Sequence, residues 1–165
     1  MSEPIEFYFD FSSPYSYLAS ELIDDLAAKY GRKVKWRPML LGVVFQKTGQ
    51  PLLVNVPLKG EYSLRDFSRS ARYFNVPFKF PAKFPMSTVS AARAYYWLHG
   101  QLGIDRDALT VGIALPAIKE RLKVETDTAL AKGMCGAPYF VVDGEPFWGA
   151  DRLPQIEKWL ATGGF

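Results

Sequence analysis

Residues 5–11 alternate, with Ile5, Phe7, Phe9 and Phe11 on one side and Glu6, Tyr8 and Asp10 on the other. That two-residue period predicts a strand with one face on a core. The period then lengthens. Leu18, Leu22, Ile23 and Leu26 fall on one stripe of a helix beginning at Pro14, Glu21, Asp24 and Asp25 fall on another, and Gly31 is placed to stop it. Residues 34–38 read as a second strand, so the first forty residues form a β-α-β unit, which favours parallel strands and a right-handed crossover.

Between residues 40 and 85 the pattern is irregular. Pro51, Pro57, Pro77, Pro81 and Pro85 divide it into loops around one helix opening at Ser63, with Phe67, Ala71 and Phe74 on its apolar side. Arg65, Arg69 and Arg72 lie on its other faces and read as a solvated surface. A further helix starts at Ser87 or Thr88, and three more are predicted over 105–109, 117–122 and 126–132. Residues 139–142 are then β-branched and aromatic, Asp143-Gly144 is a hairpin signal and 146–148 is the return strand. Asp151 is expected to cap a last helix whose buried stripe is Leu153, Ile156 and Leu160. The order β-α-β, helices, α-β-β-α predicts an α/β chain with a thioredoxin-like fold and an inserted all-helical domain. The thioredoxin-like part is expected over 1–44 and 127–165 and the insertion over 45–126.

Composition narrows the function classes. The chain has 165 residues, 48% of them hydrophobic and 15% aromatic, enough for one solid core and a ring-lined cleft. Its net charge of +3 is made of interspersed signs, which argues against nucleic acid, a partner that needs a dense basic face. No apolar run approaches the roughly 20 residues of a membrane span and no leader pattern opens the chain, so the expectation is a soluble cytoplasmic protein with no membrane partner. One cysteine, Cys135, and one histidine, His99, exclude an internal disulfide and a Cys/His metal cluster. Cys135 reads as a small packed hydrophobe and His99 as a helix-end or surface residue.

Candidate chemistry gathers where the first strand meets the first helix. Ser13-Pro14 fits an N-cap and first helical residue, and Ser13-Pro14-Tyr15-Ser16 repeats the spacing of a Cys-Pro-x-Cys redox motif with hydroxyls for thiols. Capping is the usual role of serine before proline and by itself accounts for the pair. The same junction is also a place to hold an anion.

Three separated stretches, 9–18, Gly136-Ala137-Pro138 and 147–153, together resemble the 2-hydroxychromene-2-carboxylate isomerases, which are similar to kappa-class glutathione transferases. The resemblance covers nearly the whole chain. It implies a glutathione-dependent cis–trans isomerase of aromatic degradation, such as the catabolism of naphthalene, working by reversible thiolate addition with glutathione as cofactor, and a homodimer. It makes Ser13 the hydroxyl that contacts the glutathione sulfur, with Pro14 and Tyr15 at the thiol end. Ala137, before a cis Pro138, pairs with the cysteinyl part; Ala150 and Asp151 receive the γ-glutamyl end; Lys59 reaches a carboxylate. Gln50 and Ser87 stand where the family commonly has asparagine. A longer helical segment is usual in the family near Gly100-Gln101. A kappa-like transferase or peroxidase and a non-catalytic glutathione-binding module are the alternatives. A thiol like that of glutathione titrates near pH 8.5, and lowering this by two units takes about 2.7 kcal/mol. A charge-assisted bond from Ser13 supplies roughly 1.5–3 kcal/mol and a helix N-terminus roughly 0.3–2 kcal/mol, so no histidine base is required.

Overall fold

The computed structural model describes residues 3–98 and 106–165. Strand β1 (Ile5–Phe9) leads into helices α1 (Pro14–Ser20) and α2 (Ile23–Lys29), then strand β2 (Val34–Pro38). Helices α3 (Leu41–Thr48), α4 (Lys59–Tyr73), α5 (Val89–Leu98), α6 (Arg106–Gly112) and α7 (Pro116–Ala131) follow. The chain closes with strands β3 (Tyr139–Val142) and β4 (Glu145–Trp148) and helix α8 (Leu153–Thr162). The sheet order is β2-β1-β3-β4, with β1 parallel to β2 and antiparallel to β3, and β3 antiparallel to β4. This is the thioredoxin-like arrangement with a helical insertion between β2 and β3.

Several expectations are corrected by packing. The strand predicted over 5–11 ends at Phe9, and Phe11 is 48% exposed in the loop beyond it. β1 is a central strand with both faces covered. Ile5, Phe7 and Phe9 pack with Ala19, Ile23, Phe140 and Ile156 on one face; Tyr8, on the face expected to be polar, is fully buried with Val44, Ala129 and Tyr139 on the other. The single helix expected after Pro14 is two, broken at Glu21–Leu22. α3 was absent from the periodicity, and α4 begins four residues before Ser63. Ser63 is buried inside α4, its hydroxyl donating to the Gly60 carbonyl at 2.7 Å, so it caps nothing. The two helices predicted over 117–122 and 126–132 are the one helix α7, because Thr126 bonds its hydroxyl back to the Leu122 carbonyl (2.9 Å) without interrupting the ladder. Residues 44 and 127, the expected domain limits, fall inside α3 and α7. The expectations for His99, Gly100, Gln101 and Asp105 lie outside the described residues.

Charge is buried where β1, β2 and α7 meet. Arg37 reaches Glu6 and Glu125 at 2.7 Å each, and Lys132 also bonds Glu6. Burial alone pushes the Glu6 carboxyl up, but the bonds from Lys132 and Arg37 outweigh it and hold the group below its ordinary value.

Candidate active site

The loop between β1 and α1 is fixed by Asp10, which is 3% exposed. Its Oδ1 accepts from the Ser12 N–H (2.8 Å), the Ser12 hydroxyl (2.8 Å) and the Thr88 hydroxyl (2.9 Å), and its Oδ2 from the Leu41 N–H (2.8 Å). One carboxylate thus joins the end of β1, the start of α3 and the residue before α5. With four donors around it the buried charge is satisfied. The carbonyl of Asp10 also accepts from the Ser13 N–H at 3.0 Å.

Ser13 caps α1 as expected, its Oγ accepting from the Ser16 N–H at 3.2 Å. The same hydroxyl faces the Ala137 carbonyl at 3.4 Å, at the long limit of a hydrogen bond. The Ala137–Pro138 peptide is cis, as the sequence reading expects. Among the described residues the Ala137 N–H has no acceptor, and the Pro138 carbonyl accepts from the Gly149 N–H at 3.0 Å. Gly136 is buried under the Trp148 indole. A Cβ there would lie 2.5 Å from the indole Nε1, so only glycine lets the ring close over this loop.

These groups open onto one cleft of about 1080 Å³. Clefts that hold a drug-sized ligand measure roughly 300–1,000 Å³, so one at the top of that range has room for a tripeptide beside a smaller molecule. Ser13, Pro14, Tyr15, Gln50, Lys59, Ala137, Pro138, Ala150 and Asp151, all expected in the site, line it. They come from five separate stretches of chain. Ser87 is exposed and does not line the cleft. Asp151 does not cap α8: it lies in the short 3-10 turn Ala150–Arg152, and the position before α8 is taken by Arg152, 3.3 Å from the Asp151 carboxylate.

Sequence reasoning missed one wall. Lys59, Tyr62, Asp66, Arg69 and Tyr73 follow the 3,4,3,4 spacing of one helix stripe and all line the cleft from α4, so Arg69 is not simply part of a solvated face. Tyr15 packs edge-to-face against Phe67 (ring centroids 4.7 Å apart) and donates its hydroxyl to Asp66 Oδ2 at 2.6 Å, tying the Ser13 loop to α4. Burial and that bond push the Tyr15 phenol up. Burial also pushes the Asp66 carboxyl up, but the bonds from Tyr15 and Arg69 prevail and hold it below the usual carboxylate range. Cys135, expected to be packed away, is partly buried and lines the cleft two residues before Ala137.

The chain matches the DSBA-like thioredoxin domain over residues 4–102 and 100–161. It is 31% identical to a 2-hydroxychromene-2-carboxylate isomerase of Sphingobium xenophagum over 193 residues, covering 97% of this chain and 99% of that protein. That alignment is longer than this chain, so the relative carries residues that this chain lacks, and the two parts of the domain match meet at 100–102. Glutathione S-transferase kappa 2 of Caenorhabditis elegans is 25% identical over 95% of this chain and 91% of its own. Among solved structures, a 2-hydroxychromene-2-carboxylate isomerase superposes with a TM-score of 0.84 at 25% identity, covering 95% of this chain and 94% of that one.

Proposed function

We propose, from the fact that this chain belongs to the DSBA-like thioredoxin family and to its branch of 2-hydroxychromene-2-carboxylate isomerases and kappa-class glutathione transferases, that its cleft holds glutathione and that the enzyme interconverts 2-hydroxychromene-2-carboxylate and trans-o-hydroxybenzylidenepyruvate, or a similar intermediate of aromatic degradation. The observation that carries the reading is the convergence of Ser13, Lys59, Ala137 and Asp151 on one cleft. Glutathione offers two carboxylates, an ammonium, peptide groups and a thiol. The lining offers a cation at Lys59, a carboxylate at Asp151, an open backbone N–H at Ala137 and a hydroxyl at Ser13, so the residues fit the tripeptide in charge and kind.

When bound, glutathione supplies a thiolate that adds reversibly to a conjugated carbon, so that the former double bond turns as a single bond. The Ser13 hydroxyl donates to the sulfur. Its present contact, at 3.4 Å from the Ala137 carbonyl, is weak enough to be exchanged, and the Ser16 N–H keeps the oxygen oriented. α1 has only seven residues, so its dipole contributes toward the lower end of about 0.3–1 kcal/mol and the hydroxyl carries most of the stabilisation. Tyr15, at the second helical position, adds a backbone N–H that has no intrahelical acceptor. Pro14 and Pro138 frame the thiol end, Ala150 and Asp151 take the γ-glutamyl end, and Gln50 and Lys59 take the far carboxylate. The same reading makes the enzyme cytoplasmic and homodimeric; no helix among the described residues is long and apolar enough to cross a membrane.

A kappa-like transferase is the second reading, favoured by the match to the nematode enzyme. The two differ in stoichiometry. Incubation with glutathione and the hydroxychromene acid is expected to give isomerisation, dependent on glutathione, with no glutathione consumed. Consumption of glutathione with a haloaromatic, and no isomerisation, would decide for the transferase.

A further inference from the structure

A second, smaller cavity of about 330 Å³ shares no lining residue with the cleft. Five rings line it, Phe9, Phe11, Tyr17, Trp36 and Tyr95, and Asp10 and Ser20 complete the wall. At the low end of the roughly 300–1,000 Å³ of ligand pockets, it suits a small group. The strands explain why the rings meet. Trp36 is the register partner of Phe7 on β2, so it stands on the same face of the sheet as Phe7 and Phe9. Phe11, Trp36 and Tyr95 each meet Phe9 near a right angle, with centroids 5.1, 5.5 and 6.5 Å from it and planes inclined by 72°, 87° and 88°. The set is a frame of crossed rings rather than a stack.

The donors of this wall are already engaged. Tyr17 donates its hydroxyl to the Pro77 carbonyl (2.7 Å), Tyr95 to the Trp36 carbonyl (3.0 Å) and Ser20 to the Tyr17 carbonyl (2.7 Å), and the Trp36 indole N–H reaches Asp24 Oδ1 at 3.4 Å. The charges nearby are of one sign. All four bonds to Asp10 come from neutral groups, two backbone N–H and two hydroxyls, so its carboxylate is satisfied without being neutralised. Asp24 adds a second carboxylate at the indole edge. Basic side chains are turned away, because the alternation along β2 puts Lys35 and Arg37 on the other face, where Arg37 pairs with Glu6 and Glu125. An anion would find neither a free donor nor a cation here. A primary ammonium would give up hydrogen bonds to water that the rings do not replace. A quaternary ammonium has none to lose and is attracted both by ring faces and by uncancelled negative charge.

We propose that this cavity is a binding site for a quaternary ammonium group, separate from the cleft and independent of the glutathione reading. The probes are choline and 3,3-dimethylbutan-1-ol, in which carbon replaces the charged nitrogen at nearly the same shape. Binding is followed by nuclear magnetic resonance at the Trp36 indole N–H, assigned with Trp36→Phe. Choline is expected to shift that resonance saturably and to bind roughly tenfold or more tightly than the alcohol, the range of contacts between a cation and several rings. Phe11→Leu, which trades a half-exposed ring for a side chain with no π face, is expected to weaken choline roughly threefold or more and leave the alcohol within about twofold. Asp24→Asn is expected to weaken choline about twofold at low salt, an effect that added salt screens out. Saturating glutathione leaves the choline affinity unchanged. Absence of a saturable shift at Trp36, equal affinity for the alcohol, or displacement of choline by glutathione overturns the proposal. So does a preference unchanged in Phe11→Leu, or in Asp24→Asn should Phe11→Leu not fold.

Discussion

Ser13 and Asp10 divide one task. Under the proposed function Ser13 would meet the glutathione sulfur, while Asp10 holds the loop that carries Ser13 through four bonds to three segments. Ser13→Ala deletes a single donor to an anion, worth roughly 1.5–3 kcal/mol, so the bound thiol is expected to titrate about one to two pH units higher with the fold intact. Ultraviolet absorbance of the bound thiolate against pH measures this, and an unchanged titration would refute the role of Ser13. Asp10→Asn behaves differently. An amide nitrogen turned toward donors leaves buried groups unpaired, at about 1–3 kcal/mol each, so both global stability and the thiolate titration are expected to suffer. A variant that lost stability but kept the wild-type titration would show Asp10 to be purely structural.

Helix α4 shapes the cleft through its start. It opens at Leu58, held at φ 66°, and Gly60 lets the 3-10 turn Leu53–Asn55 close onto it. A Cβ at Gly60 would lie 2.3 Å from the Val54 carbonyl oxygen, a backbone atom that cannot swing aside. Gly60→Ala is therefore expected to cost about 1–3 kcal/mol of stability by denaturant titration and to weaken glutathione binding, because the turn and Lys59 shift together. Retained stability and affinity would mean that the turn relaxes freely. The early start of α4 was hidden in the sequence. Ser63 has the residue type of a cap, but capping depends on where the preceding chain goes, and here the Val54–Gly60 contact starts the helix a turn earlier.

Across the sheet, the ion network of Glu6, Arg37, Glu125 and Lys132 joins the thioredoxin-like strands to α7. The Glu6 carboxyl is held below its ordinary value of 4.5 in the folded protein. Its contribution to stability is therefore complete above that value and is lost as pH falls through the folded value. Asp66 has the same sign. Unfolding midpoints are expected to drop on acidification below about pH 4.5, and Glu6→Gln is expected to flatten that drop while costing about 1–3 kcal/mol at pH 7. An equally steep acid limb in Glu6→Gln would place the sensitive group elsewhere.

Local chemistry was readable along the chain. The alternation before Pro14, the Ser13 cap, the Asp143-Gly144 turn and the β-α-β order each depend on a few neighbouring residues, so composition and spacing suffice to announce them, whereas the cis bond before Pro138 is expected only through the family resemblance. Folding brought out the rest. Tyr8 is buried because helices cover both faces of β1, which no two-residue period can report. Asp10 matters through partners 31 and 78 residues away, and Asp66 through one 51 residues away. Arg69 looks like any surface arginine until α4 is laid along the cleft. Capping and turns are contacts between neighbours in sequence, whereas burial, charge pairing and the walls of a cleft join distant segments and come into being only when the chain closes.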